Sequence, residues 1–161
     1  TVLWGEDHKL AGWTRQILRD GQRGHQAMRM LTAFNLSMPG VPCIYQGDEY
    51  ADIGGNDPDN RKMMRFDDLD AAESDTRRHV QDWIGLRRSR LSMTFGQTQI
   101  AALESGLLRI ERQYLSESTV ILINPTSQAI PIPESESADV LLGAMQDRRV
   151  SAYGCVALNG G

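Results

Sequence analysis

Apolar residues in the first half of the chain recur with a helical period and then form one short continuous run. From about Gln22, four of them fall at i, i+1, i+4 and i+7 and predict a helix with one buried stripe (Ala27, Met28, Leu31 and Phe34). Pro39 and Gly40 are expected to end this helix. Residues 41–45 are apolar without alternation, which is typical of a strand buried on both faces in a parallel sheet. A long polar loop is predicted from residue 46 to about residue 68.

A second helical pattern follows this loop. Asp70 is expected to cap the helix, with Glu73 at the capping-box position. Its buried face is predicted to come from four apolar residues (Val80, Trp83, Ile84 and Leu91), and Gly96 is expected to end it. The stretch 1–21, before the first helix, has no sustained period and is predicted to be a long loop.

Beyond Gly96 the apolar period changes to two. Short strands are predicted at 99–103, 107–113, 119–124, 129–132, 139–142 and 152–158, separated by turn residues. A series of this kind is typical of an antiparallel sandwich or barrel. The chain is therefore predicted to divide into a helix–strand–helix part, residues 1–96, and a small all-β part, residues 97–161.

Composition and charge narrow the class of protein. The 161 residues are 40% hydrophobic and 24% charged, as in an ordinary globular protein. A net charge of −4 and a pI near 5.3 argue against a nucleic-acid binder, which normally has a basic face. Five arginines between residues 77 and 90 alternate with acidic and polar residues and are predicted to form a solvated helix face.

Other features bear on context. No apolar stretch is long enough to cross a bilayer, and no signal peptide is recognisable. The chain opens with Thr1 rather than Met, so we expect an excised or processed piece of a longer protein. Cys43 and Cys155 each lie inside an apolar run and are predicted to be small buried hydrophobes, with no disulfide expected.

The polar loop contains most of the candidate chemistry. Gly47-Asp48-Glu49 follows the predicted buried strand, and active sites of α/β sheets and barrels form at the C-terminal edges of such strands. Asp57 and Arg61 add a carboxylate and a forked guanidinium, groups that grip sugar hydroxyls or orient another carboxylate. Two other interpretations are a calcium site and an internal Asp57–Arg61 salt bridge. The calcium pattern fails because Arg61 and Lys62 stand where a ligand and a glycine belong.

Two adjoining motifs in this region point to a known family. The run PGVPCIYQGDE, residues 39–49, resembles the eighth barrel strand of α-amylase-family enzymes, and GGNDPDNRKMM, residues 54–64, resembles the loop that follows it in the cyclomaltodextrinase, neopullulanase and Bacteroides-type α-amylase branch. GWTR at residues 12–15 is similar to a segment before the last barrel helix. Gln46 departs from the pattern, because family members commonly have a second tyrosine there.

The resemblance implies an α+β piece, which is the last helix–strand–helix of a (β/α)8 TIM barrel followed by an antiparallel domain C. By the same resemblance, Asp57 and Arg61 match the loop residues that contact glucose units near the cleavage point. The complete parent protein would then be a retaining glycosidase acting on α-1,4-glucans or maltooligosaccharides. No cofactor and no nucleic-acid or membrane partner is expected, although calcium in the parent stays open. The orphan strand is expected to be disordered, self-associated or covered by the preceding helix.

The residues that perform retaining hydrolysis are missing from the pattern. That reaction needs one carboxylate as nucleophile and another as acid/base, and in the family these lie on earlier barrel strands. Asp7-His8 does not match the family's Asn-His-Asp motif, and His8, His25 and His79 are predicted to be surface or capping residues. We assign no catalytic residue and no metal ligand here, and expect structural or rim roles for Asp48 and Glu49. A carbohydrate-binding module and a purely structural β-domain remain alternatives; aromatic platforms would favour the former, and the β part has few besides Tyr114 and Tyr153.

Overall fold

The computed structural model describes residues 21–54, 61–137, 139–143 and 145–160. Within these ranges, three α-helices and a 3₁₀-helix precede seven strands. The helices are α1 (Gly21–Ser37), the 3₁₀-helix (Asp48–Tyr50), α2 (Ala71–Ser89) and α3 (Leu91–Phe95). The strands are β1 (Gln97–Ala102), β2 (Leu108–Tyr114), β3 (Glu117–Ile123), β4 (Ile130–Pro131), β5 (Val140–Leu142), β6 (Arg149–Val150) and β7 (Cys155–Gly160).

The strands form a five-stranded antiparallel sheet in the order β1-β2-β3-β7-β5 and a two-stranded sheet of β4 and β6. An α+β fold with an antiparallel sheet is thereby confirmed, and all six predicted strands overlap observed ones. The short strand β6, Arg149–Val150, was not predicted.

The central strand β3 is buried on both faces, because its side chains alternate between two cores. Ile121 and Ile123 belong to a cluster that also contains residues of the three helices (Ala33, Leu36, Trp83 and Met93). Val120 and Leu122 point the other way, into a cluster that includes Ile130 and Val150 of the small sheet. The predicted burial of Trp83 is confirmed, since this ring is fully buried in the cluster that contains the sheet's isoleucines.

The N-terminal cap of α2 is also as expected. The Glu73 N–H donates to Asp70 Oδ1 at 2.8 Å, and the Asp70 N–H donates to Glu73 Oε2 at 3.0 Å, so each residue satisfies one of the helix's free donors. The predicted C-terminal end at Gly96 is wrong. The helix stops at Ser89, Arg90 is extended, and α3 begins at Leu91, which is exposed rather than buried.

Three further predictions of burial are wrong. Leu31 and Phe34 of the apolar stripe are 46% and 36% exposed, and Cys43 is also exposed. His25, expected at the surface, is buried with its Nδ1 3.0 Å from the Thr76 hydroxyl. For Leu31 and Phe34, sequence periodicity identified an amphipathic helix but not the partner that selects its buried face.

Residues 41–45 do not form the predicted strand. Val41 is 98% exposed and Tyr45 is 50% exposed, and no strand is assigned over this run. A strand requires a neighbour to accept and donate its backbone hydrogen bonds, and in the described part of the chain no strand pairs with this run.

Arg87 corrects the prediction of a fully solvated arginine cluster. It is buried, and its guanidinium donates hydrogen bonds to the carbonyl oxygens of Leu36 (2.6 Å), Met38 (2.9 Å) and Gly40 (2.7 Å). These are carbonyls at and just beyond the end of α1, which lack partners within the helix. A single side chain therefore satisfies this end and attracts its partial negative charge.

The chain has two compact units, one of which contains Ile44–His79 and the other Arg29–Cys43 with Val80–Gly161. The division into domains at residue 96 remains a prediction. None of the helices in the described ranges has the length and apolarity needed to cross a lipid bilayer.

Candidate functional site

The loop after residue 45 starts with a tight turn that requires glycine. Gly47 has φ +90°, a left-handed conformation, and an added Cβ would lie 2.9 Å from the Cβ of Asp52. The Gly47 carbonyl accepts the Asp52 N–H at 2.8 Å, which closes the turn around the 3₁₀-helix. The backbone at Gly47 therefore leaves no room for a side chain.

The two carboxylates after Gly47 fold back onto this turn. Asp48 Oδ2 accepts the Tyr45 N–H at 3.2 Å, and Glu49 Oε2 accepts the Gly47 N–H at 2.9 Å. Each carboxylate thus accepts a hydrogen bond from a backbone N–H of its own loop. This geometry supports the structural roles expected for Asp48 and Glu49.

Hydrogen bonds between its two limbs hold the loop together. The Gln46 amide donates to the Lys62 carbonyl at 2.8 Å, and the Lys62 ammonium donates to the Ile53 carbonyl. Gln46, which departs from the family pattern, therefore has a direct structural contact. These two hydrogen bonds hold Lys62, the residue that follows Arg61 in the chain.

Arg61 is exposed at this edge, as a substrate-contacting side chain must be. Asp57, the other predicted sugar-binding residue, lies outside the described residues, so the structure brings only Arg61 of the two into view. The assignment of both residues to substrate binding stays a prediction.

Arg65 makes several contacts within the loop that the sequence did not predict. Its guanidinium lies 2.6 Å from Glu73 Oε1, 3.8 Å from Asp52 Oδ1 and 5.0 Å from the centre of the Tyr50 ring. The backbone N–H of Arg65 also donates to the Tyr50 hydroxyl at 3.2 Å. Tyr50 is buried, so Arg65 fixes the inner side of the loop to the start of α2.

The charges of this cluster stabilise one another. The hydrogen bond with Glu73 raises the pKa of Arg65. Burial raises the pKa of the Glu73 carboxyl, but hydrogen bonds from Arg65 and from the Asp70 N–H outweigh it and the pKa is lowered overall. The sequence predicted Glu73 only as a capping residue. The one signal for its partner, Arg65, was that this arginine is the single charged residue of the apolar run MMRF, residues 63–66.

Among the residues described, no group of three or more histidine, cysteine, aspartate or glutamate side chains is placed to hold an ion. The described part of the loop is braced by its own hydrogen bonds, and the Arg61 side chain is exposed beside it.

Comparisons with known proteins give one consistent group of relatives. The chain is 30% identical to the cyclomaltodextrinase of Geobacillus thermopakistaniensis strain MAS1 over 138 residues, which are 81% of this chain and 23% of that enzyme. It is 28% identical to the cyclomaltodextrin glucanotransferase of Paenibacillus macerans over 136 residues, 80% of this chain and 19% of the relative. No protein-family model matches.

Solved structures agree with these sequence relatives. The maltogenic amylase from S. marinus matches with a TM-score of 0.69 and 26% identity, over 83% of this chain and 19% of that one. The α-amylase from Anoxybacillus matches with a TM-score of 0.68 and 26% identity, over 84% of this chain and 32% of that one. The chain thus spans about a quarter or less of the length of the two curated relatives.

Proposed function

The chain belongs to the α-amylase family of glycoside hydrolases, and from this premise we propose that the complete protein hydrolyses α-1,4-linked glucans or maltodextrins with retention of configuration. The observation that carries the proposal is the 138-residue match to a cyclomaltodextrinase, over 81% of the chain. The structural match to a maltogenic amylase supports the same proposed class of substrate.

The catalytic carboxylates belong, in this proposal, to parts of the protein outside this chain. Retention requires two carboxyl groups about 5 Å apart on either side of the scissile bond. Asp48 and Glu49, the acidic pair nearest the predicted site, each accept a backbone N–H of their own loop. Their hydrogen bonds favour a bracing role, and we expect the isolated chain to leave starch intact.

The contribution of this chain to substrate binding is assigned to Asp57 and Arg61. The braced loop presents Arg61 to solvent beside Lys62, whose carbonyl is held by Gln46. A guanidinium so placed donates several hydrogen bonds in one plane to sugar hydroxyls. We assign Arg61 to orienting the oligosaccharide.

The architecture proposed for the parent accounts for the exposed apolar residues. Residues 1–96 would complete the barrel and residues 97–161 would be domain C. Residues 41–45 would pair as strand eight with barrel strands that this chain does not contain. Leu31, Phe34 and Val41, all exposed here, would then be covered.

Kinetics of the complete protein test the role of the loop. Arg61→Ala is expected to lower kcat/KM on maltooligosaccharides by about tenfold or more, because a poorly oriented substrate seldom reaches the reactive geometry. Arg88→Ala, which removes an exposed arginine of α2, is the matched control and should leave kcat/KM unchanged. Unchanged kinetics in Arg61→Ala would remove that residue from the site, and a complete protein inactive on maltooligosaccharides and starch would contradict the proposed activity.

A second candidate function is a carbohydrate-binding module. It is favoured by one feature at the end of α3 and the β1–β2 hairpin, an open cavity whose lining includes Phe95 and Tyr114. A purely structural accessory domain would bind no sugar there.

A further inference from the structure

The five-stranded sheet has two edge strands, β5 and β1, and they differ in how well they are protected from pairing with another chain. The strand β5, Val140–Leu142, has three residues, and its register with β7 shifts between Val140 and Leu142. The exposed Asp139 comes directly before it. Short length, a bulge and a charge are devices that keep a sheet edge from pairing with other strands. The β5 edge is therefore protected.

At the opposite edge, β1 has none of these devices. Its six residues, Gln97–Ala102, pair with β2 in one unbroken register, and the strand contains no charged residue and no proline. Within the described part of the chain, β2 is the only strand that pairs with β1. The outer side of β1 therefore presents a regular, uncharged row of backbone groups.

The hydrogen bonds of the β1–β2 hairpin show which backbone groups point outward. The Leu103 N–H donates to the Leu107 carbonyl at 2.8 Å, so the backbone groups of Leu103 are directed at β2. These two residues continue the β1–β2 register, and the direction of the backbone groups reverses at each residue of a strand. The outward-directed N–H and carbonyl groups therefore belong to every second residue, namely Thr98, Ile100 and Ala102.

The side chains of these residues share one face of the sheet, the face on which the helices pack. The Thr98 hydroxyl accepts a hydrogen bond at 2.5 Å from Arg112, a buried residue that also donates to two carbonyls of α3. Ile100 lies opposite Ile110, which is fully buried in the cluster that contains residues of the helices. Ile100 itself is 53% exposed, and in the described part of the chain no strand lies on its outer side.

A second copy of β1 fits this edge in one antiparallel register. When a two-fold axis passes through Ile100, Thr98 lies opposite Ala102 of the second copy, and Ile100 lies opposite its own counterpart. All the outward-directed residues are then in hydrogen-bonded pairs, each of which exchanges both of its N–H···O bonds. Centring the axis on Gln99 would leave the outward groups of Ala102 without a partner in β1.

The side chains favour the same register. Within one chain Ile100 lies opposite Ile110, and Ile110 lies opposite Ile121. The two-fold axis joins this row of isoleucines to its copy, so the half-exposed Ile100 gains an apolar cross-strand contact. On the other face, Gln99 lies opposite Ala101 of the second copy, so that a long side chain meets a small one.

Charges on the neighbouring strand are complementary in this arrangement. Glu111 lies opposite Gln99, and Arg109 lies opposite Ala101. Because the axis sets Gln99 against Ala101, each row across the interface has Glu111 of one copy at one end and Arg109 of the other copy at the other end. Like charges in one row would disfavour the pairing. Here the two charges in a row have opposite sign.

We propose that the outer edge of β1 pairs with β1 of a second copy of this chain and joins the two five-stranded sheets into one. Two-fold contacts of this kind are the commonest way in which identical chains associate. One pair of short strands buries little area compared with a standard interface of about 1,600 Å², so we expect a reversible, concentration-dependent dimer. The inference goes beyond the proposed hydrolysis and does not depend on it, because it rests only on β1 and the strands beside it.

Hydrogen exchange at single amides distinguishes this pairing from any other association. Sedimentation equilibrium of the full chain gives the dissociation constant, and exchange followed by NMR is measured below and above that concentration. The amides of Thr98, Ile100 and Ala102 should exchange about tenfold more slowly in the dimer. The amides of Gln99 and Ala101 already face β2 and should change much less.

Three variants test the register while circular dichroism checks that each keeps its fold. Ile100→Lys sets two like charges opposite each other at the axis and removes the isoleucine contact, so it should weaken dimerisation about tenfold or more. Ala102→Pro removes an outward N–H that pairing with β2 does not use, and should also weaken dimerisation. Val140→Lys, the same kind of change at the protected edge, is the matched control and should dimerise like the unaltered chain.

Three outcomes would overturn the inference. They are a full chain that stays monomeric at every concentration, association without added protection of the three outward amides, or equal dimerisation of Ile100→Lys and the unaltered chain. The second would show association through other exposed apolar residues, such as Leu31, Phe34 and Val41. Because the readout is strand pairing, failure here leaves the proposed hydrolytic activity of the complete protein untouched.

Discussion

Removing the Arg87 guanidinium should uncouple the end of α1 from α2. This guanidinium donates to three carbonyls, those of Leu36, Met38 and Gly40, at 2.6–2.9 Å. Arg87→Ala deletes all three hydrogen bonds and leaves the carbonyls without their donor. The expected result is a large loss of stability from one substitution, at a residue that the sequence predicts to be exposed to solvent.

The size of the loss follows from the burial of the acceptors. A hydrogen bond that involves a charged group contributes about 1.5–3 kcal/mol. The Leu36 carbonyl lies in a buried contact, whereas Gly40 is exposed and its carbonyl can be rehydrated. Burial lowers the pKa of Arg87, because removing the charge from water opposes ionisation, and this offsets part of the gain. We therefore expect a loss of about 3–5 kcal/mol in the free energy of unfolding.

Urea unfolding followed by circular dichroism at the helix band measures this loss. Arg87→Lys keeps the charge but has no planar fork, so it should recover only part of the stability. Arg88→Ala, next along the chain and exposed, is the matched control and should stay within about 0.5 kcal/mol of the unaltered chain.

The reasoning is refuted if Arg87→Ala lies within about 1 kcal/mol of the Arg88→Ala control. Full recovery by Arg87→Lys would also refute it in part, because charge alone, rather than the three directed hydrogen bonds, would then stabilise the end of α1.

Three further predictions concern single residues. Burial raises the pKa of Cys155 to about 12, so in the folded chain iodoacetamide at neutral pH should label the exposed Cys43 and spare Cys155, and Cys43→Ser should abolish the labelling. Gly47→Ala should speed hydrogen exchange of the loop amides, since its left-handed backbone would cost about 1–2 kcal/mol with a side chain; equal exchange rates would contradict the strain. The net lowered pKa of Glu73 contributes stability that is present above its unfolded value of about 4.3 and lost as pH falls through the folded value. Acid titration of stability should accordingly be flatter in Glu73→Gln, and a parallel acid limb would show that the Arg65 contact contributes little.

Local features of the fold were predictable because their partners lie only a few residues apart. The Asp70–Glu73 capping box joins positions three apart, and both of its hydrogen bonds form as expected. The end of α1 before Pro39 needs only proline's missing N–H and the conformation it imposes. Alternation of apolar residues was likewise enough to predict strands such as β2 and β3.

The family was predictable by resemblance rather than by local physics, whereas the assignment of Asp57 and Arg61 to substrate binding stays a prediction. The motifs around Gly47 and Arg61 identified the family, and relatives matching over 81% of the chain agree. The role of Arg65 was not predictable, because its contacts to Tyr50 and Glu73 span 15 and 8 residues across a loop.

The sequence by itself thus determined the approximate positions of α1, α2 and most strands of the β part, how α2 is capped and which family the chain resembles. Tertiary structure alone decided which face of α1 is buried and that Arg87 is buried rather than solvated. It also decided that residues 41–45 pair with no strand in the described part of the chain. The physical reason is that hydrogen bonds and steric constraints between near neighbours are specified by residue type. Burial and strand pairing depend instead on which distant surfaces are present to complete them.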